Sequence, residues 1–231
     1  GMTIGEVIEK IGLAPDFATS GHVLATGGWG GLYLSQDGGI HWTANYSVST
    51  SGPIAYSPAF ALDGTAFVAG WSGLYRTVDQ GMNWTQVLTA SLSSLAVSPA
   101  LDTDGTILVG GGGTVHISHD SGTSWISVTL PATSTFVADL AMSPAFSTDQ
   151  TVFAGTNAGL FKSQDGGLTC TPAAGYPGLA VHSLAISPGW PVAPSGRGGC
   201  VLVIFFRTTG RPAGPIQRPA RTSFPAHRAG R

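Results

Sequence analysis

Four copies of one eight-residue phrase, a second phrase repeated between them, and a composition rich in glycine but poor in charge predict an all-β chain. Its strands are expected to form a β-propeller of four-stranded antiparallel blades. The first phrase reads Ser35-Gln36-Asp37-Gly38-Gly39-Ile40-His41-Trp42 and returns at Thr77–Trp84, Ser118–Trp125 and Ser163–Cys170. Its pattern is Ser/Thr-x-Asp-x-Gly-x-x-Trp, with cysteine closing the last copy. The aspartates recur at intervals of 42, 41 and 45 residues, a period that belongs to propellers and solenoid arrays. The 34 glycines and 10% charged residues suit many tight turns between buried strands, and 231 residues suffice for one sizeable all-β core.

The second phrase divides each unit. Ile54-Ala55-Tyr56-Ser57-Pro58-Ala59-Phe60, followed by Asp63-Gly64-Thr65, matches Leu95–Leu101 with Asp104-Gly105-Thr106 and Leu140–Phe146 with Asp149-Gln150-Thr151. Ile11–Phe17 is a looser first version, and Leu184–Pro188 opens a fifth. Strand A is the run ending at Ser-Pro. Strand B follows Gly-Thr, as in Ala66–Ala69, and strand C precedes the Asp phrase, as in Leu74–Arg76. Strand D begins at the tryptophan, as in Trp84–Val87. Short β-rich runs between Gly, Pro, Asp and Ser turns are an all-β signature, and four per 40 to 45 residues make one blade. The expected blades lie near 5–46, 51–88, 92–130 and 137–175, with a partial fifth from 181. Pro172 in the last strand D requires an edge strand, because proline has no ladder donor.

The repeats end at Pro188. Residues 1–188 hold all 12 acidic groups and only Lys10, Arg76 and Lys162 as bases, a net charge of −9. Residues 189–231 hold seven arginines and no acid. In that stretch Val201–Phe206 is expected to serve as a displaced strand B. The rest is Arg/Pro/Gly-rich and has two readings, a disordered basic tail or out-of-frame translation. Four units and part of a fifth are few for a propeller, so either a small ring closes, the arc pairs with a second copy, or the chain is a piece of a longer one.

The Asp phrase spans the C-to-D hairpin. Its carboxylate accepts turn amides, its glycine takes positive φ, and its tryptophan clamps the turn while donating one hydrogen bond. Asp37, Asp79, Asp120 and Asp165, with Trp42, Trp84 and Trp125, are therefore read as fold-making residues.

These phrases resemble the Asp-box, or BNR, repeat of sialidase-like β-propellers, with similarity to sortilin-type, xyloglucanase-type and photosystem II assembly-factor repeats over residues 11–188. The resemblance implies the fold, and it implies secreted, periplasmic or cell-surface relatives, although Gly1-Met2-Thr3 opens no signal peptide pattern. The sialidase chemistry it suggests needs three arginines and a tyrosine–glutamate pair. The repeat region offers Arg76 alone, with Glu6 and Glu9 before the first clear blade, so sialidase activity is not expected.

A glycoside hydrolase needs two facing carboxylates. Turns account for most aspartates, including Asp102 beside Asp104. Asp139, before strand A of the fourth unit, is the catalytic and ligand candidate, and it has no visible partner acid. His116 and His119 do not converge on a metal from a strand, Asp102–Gly105 lacks the Glu of a calcium loop, and Gly110–Gly113 lacks the helix and Lys of a phosphate loop. No metal or cofactor is expected, nor a transmembrane segment or specific nucleic-acid partner. Two cysteines, Cys170 and Cys200, make no disulfide framework.

Topology places the B–C turns and D–A loops on one face. Trp29, in Gly27-Gly28-Trp29-Gly30-Gly31, and Trp71, in Ala69-Gly70-Trp71-Ser72-Gly73, occupy equivalent B–C positions that need no tryptophan for the turn. Tyr46 and Tyr176 fall in D–A loops of the same face. Trp29, Trp71, Tyr46, Tyr176 and Asp139 form the expected ligand surface. The expected function is non-catalytic binding or scaffolding of a glycan or protein, with self-association as a route to completing the ring. The alternative is a fragment of a sialidase-like or xyloglucanase-like glycoside hydrolase.

Overall fold

The computed structural model describes residues 7–28, 30–131, 134, 136–174 and 178–187, and the backbone of 202–205. Blade 1 consists of β1 (Ile8–Leu13), α1 (Phe17–Ser20), β2 (Val23–Gly27), β3 (Leu32–Ser35) and β4 (Thr43–Asn45). Blade 2 follows as β5 (Ile54–Tyr56), α2 (Phe60–Asp63), β6 (Ala66–Gly70), β7 (Gly73–Thr77) and β8 (Thr85–Leu88). Blade 3 is β9 (Ser94–Val97), α3 (Leu101–Asp104), β10 (Ile107–Gly111), β11 (Thr114–Ser118) and β12 (Ile126–Thr129). Blade 4 is β13 (Val137–Met142), α4 (Phe146–Asp149), β14 (Val152–Thr156), β15 (Gly159–Ser163) and β16 (Thr171–Pro172). Each is an antiparallel meander in chain order. β17 (Ser183–Ile186) pairs with β18 (Leu202–Phe205), Ser183 opposite Phe205, so a strand B for the fifth unit lies where Val201–Phe206 suggested. Pro172 sits in β16, opposite Phe161 at the sheet edge.

The sheets stack through their first strands, β1 against β5, β5 against β9, β9 against β13 and β13 against β17. Every strand B is buried along its whole length, because its two faces meet different neighbours. In β6, Ala66 and Val68 pack toward blade 1, whereas Phe67 and Ala69 pack toward blade 3. In β10, Ile107 and Val109 face blade 2 and Leu108 faces blade 4. A near-continuous apolar run is what a strand covered on both faces requires. Each such Phe, Leu or Ile contributes about 1.5–3 kcal/mol on burial.

One feature differs from the strands-only expectation. Between strands A and B each blade makes a single helical turn. Phe60, Leu101 and Phe146 begin α2, α3 and α4 and are buried. Ser57 Oγ donates to Asp63 Oδ2 at 2.6 Å and Asp63 Oδ1 accepts Thr65 N at 2.7 Å, locking both ends of the turn. Ser98–Asp104–Thr106 and Ser143–Asp149–Thr151 repeat those bonds. In α2, α3 and α4 the Asp-Gly/Gln-Thr phrase thus closes the helical turn through a left-handed residue, Gly64, Gly105 or Gln150, and Gly21 ends α1 in the same conformation.

Candidate functional site on the B–C and D–A loops

The Asp phrases and the A–B turns share one end of the sheets. Gly21, Gly64, Gly105 and Gln150 each offer a backbone oxygen, to the amides of Gly38, Gln80, Ser121 and Gly166. Within the phrase, Ser118 Oγ donates to Asp120 Oδ1 at 2.8 Å and accepts Gly122 N at 2.8 Å. The carboxylate then accepts Ser124 N and Ser124 Oγ at 2.8 and 2.6 Å. His41, Asn83 and Thr169 replace Ser124 in the other copies, each binding its aspartate through backbone and side chain. These bonds hold Asp37 and Asp120 down at about 2 and also lower Asp79 and Asp165. Trp42 and Trp84 donate to Gly39 and Gly81 oxygens at 2.9 and 3.0 Å, while Trp125 reaches across to Val87 O on blade 2 at 3.0 Å. Cys170 Sγ lies 3.8 Å from Gly167 O, in the tryptophan's place. All four carboxylates are engaged in their own turns.

The opposite end exposes an aromatic ring on the B–C turn of blade 2. Trp71, on the β6–β7 turn, is 61% exposed, and its indole Nε1 donates to Ser49 O at 3.1 Å. Ser72 Oγ donates to the same oxygen, and Gln86 Nε2 donates to Ser72 O at 2.6 Å. The turn is therefore tied to the loop between blades 1 and 2 while its ring remains in water. Beside it opens a cavity of about 270 Å³ between blades 2 and 3. Its lining includes Ser51, Ser91, Leu92 and Ser93, with Trp71 and Phe136 among its aromatic members and no charged side chain among the described residues. Gly52 belongs to this lining because the backbones touch there: a Cβ would stand 2.2 Å from Ala69 O.

Phe136 was not singled out by the sequence. It is 46% exposed, and its amide donates to Asn157 Oδ1 at 3.1 Å, so the D–A loop is fastened to the B–C turn of blade 4. The available signal was an aromatic residue within a Ser/Thr-rich loop that needed none. Tyr46 is also exposed and meets Tyr33 edge-on at 6.4 Å. It lines a different groove, with Asp37, His41, Asn45 and Met82. Trp29 and Tyr176 lie outside the described residues.

Asp139 stands just past a bulge in β13, and Lys10 holds the matching place past a bulge in β1. Its Oδ2 accepts Leu184 N at 2.8 Å and Ser183 Oγ at 3.2 Å, and Oδ1 accepts Leu140 N at 2.9 Å. Burial pushes this carboxyl upward, against those bonds and the nearby Lys10 charge. It clasps β13 to β17. Arg76 likewise spans blades, donating from Nη1 to Ser121 O at 3.0 Å. His116 Nδ1 pairs with Ser127 Oγ and His119 Nδ1 with Thr106 Oγ1.

Among solved structures, the chain superposes on the crystal structure of an ancestral GH74 enzyme with a TM-score of 0.67 at 21% identity, over 80% of this chain. The fold is a β-propeller. The matched region is 26% of that enzyme, so the chain spans about a quarter of its length. No family model and no curated protein matches the sequence. At this identity the propeller likeness concerns architecture alone.

Proposed function

We propose that this propeller binds a glycan or protein partner, without catalysis, through the B–C and D–A loop face. The observation that carries the reading is Trp71, a ring hydrogen-bonded to Ser49 O yet left in solvent, beside a cavity whose described lining is uncharged and includes the half-exposed Phe136. Flat aromatic surfaces beside serine side chains suit stacking on a sugar ring or anchoring a partner's apolar side chain. The repeated phrase, read as an Asp-box of BNR type, then serves as scaffold at the other end. A glycan panel followed by tryptophan fluorescence tests the sugar form, with Trp71→Ala and Trp29→Ala as controls. Saturable quenching that disappears in Trp71→Ala is expected. Quenching that survives both substitutions would place binding elsewhere.

A second reading takes the chain as part of a glycoside hydrolase, favoured by the architectural likeness to the GH74 enzyme. It requires an available acid. Asp139 is committed to Leu184 and Ser183, which argues for the binding reading. Hydrolysis abolished by Asp139→Asn, with the fold intact, would favour the enzyme instead.

A further inference from the structure

Two Asn-x-Ser/Thr triplets occur in the chain, Asn45-Tyr46-Ser47 and Asn83-Trp84-Thr85. The triplet is the acceptor signature for N-linked glycans, and the fold treats the two copies in opposite ways. Asn45 ends the edge strand β4, opposite Leu32, and Tyr46 and Ser47 after it are exposed. Its Oδ1 accepts both Ser47 N at 3.0 Å and Ser47 Oγ at 2.6 Å. That loop folds the hydroxyl of the third residue onto the acceptor carboxamide oxygen and leaves the amide nitrogen without a hydrogen bond to any described residue. Asn83 is exposed where Asn45 is half-buried, but its Nδ2 donates to Asp79 Oδ2 at 2.7 Å and its backbone N to Asp79 Oδ1 at 2.9 Å. Trp84 is pinned to Gly81 O, and Thr85 is paired with Arg76 in the β7–β8 ladder. The Asp turn thus consumes the nitrogen that would react and carries the hydroxyl residue into a sheet.

We propose that Asn45 is an acceptor site for N-linked glycosylation and that Asn83 is not. The donor is an oligosaccharide linked to a lipid through a diphosphate, delivered by an oligosaccharyltransferase. The Asn45 amide nitrogen attacks the anomeric carbon of the first sugar and an N–C bond forms. The C–O bond to the diphosphate breaks, the lipid diphosphate departs with its electron pair, and the nitrogen gives up one proton. The attached glycan would stand over the groove lined by Tyr46, His41 and Met82. It would leave the Trp71 cavity, which that groove does not share, open.

The test uses the folded full chain with a purified single-subunit oligosaccharyltransferase and its lipid-linked oligosaccharide, read by intact mass and peptide mapping. The expected result is one glycan at Asn45, lost in Asn45→Gln and in Ser47→Ala and retained in Ser47→Thr. Asp79→Ala, which frees the Asn83 amide, is expected to add modification at Asn83. The same chain denatured before reaction is expected to accept glycan at both triplets, which shows that the fold makes the choice. An unmodified Asn45 in the folded chain, alongside a reactive peptide of residues 41–51, overturns the proposal. So does equal occupancy of Asn83 in the folded wild type.

Discussion

The hydroxyl that opens each Asp phrase carries more of the turn than its size suggests. Ser118 is buried, and its Oγ is at once the donor to Asp120 and the acceptor of the Gly122 amide. Ser118→Ala strands that amide away from water, and a buried unpaired donor costs about 1–3 kcal/mol. Urea unfolding is expected to show a loss of that size with an unchanged slope. The carboxylates act through pH. Asp37 and Asp120 are held at about 2, below the value they take in the unfolded chain. The unfolded state therefore binds protons first as the solution is acidified. Thermal stability is expected to hold above the ordinary carboxylate range and to fall progressively as pH drops from about 4 toward about 2. At this scale the sequence was informative where a residue type repeats. Asp, Ser and Trp recur at one position because one bonding pattern recurs. Phe136 and the Asp139 clasp were less legible, because each occurs once and its partner, Asn157 or Leu184, lies 21 or 45 residues away.

At the level of the element, two glycines separate backbone conformation from crowding. Gly105 ends α3 with φ of 59°, and Gly112 sits in the β10–β11 turn with φ of 56°. An added Cβ at Gly105 would lie 2.7 Å from His119 O, whereas at Gly112 it would meet nothing within 4 Å. Gly112→Ala is expected to cost about 1–2 kcal/mol, the ordinary penalty of left-handed backbone. Gly105→Ala should cost more, because the A–B turn must also separate from the Asp phrase. Paired melting curves check the ordering. The helical turns themselves escaped the sequence because four residues make no periodicity, and Ser-Pro-Ala-Phe with Asp-Gly-Thr reads equally well as a loop. The strands were legible because alternate residues of strands such as Ala66–Gly70 must satisfy two different neighbours.

Across the whole molecule, cohesion runs from each blade to the next. His22 Nε2 donates to Gln80 O at 2.8 Å, Arg76 reaches Ser121, Trp125 reaches Val87, and Asp139 reaches Leu184. Stability in such a stack is a sum of units and nearest-neighbour contacts. Asp139→Ala leaves the Leu184 amide unpaired, at about 1–3 kcal/mol. Hydrogen exchange is expected to quicken in β17 and β13 and to stay unchanged in β2 and β6. An average change spread evenly over all blades would contradict this arrangement.

The cysteine that stands in for the fourth tryptophan has a consequence of its own. Burial raises the Cys170 thiol to about 11, so little thiolate exists at neutral pH and a disulfide reagent should find it slow to react. In a Cys200→Ser background the labelling rate becomes a stopwatch for momentary opening of this one turn. The rate should climb with sub-denaturing urea before the tryptophan signals of the other phrases change. The departure from the repeat thereby marks a single blade, and makes its breathing countable.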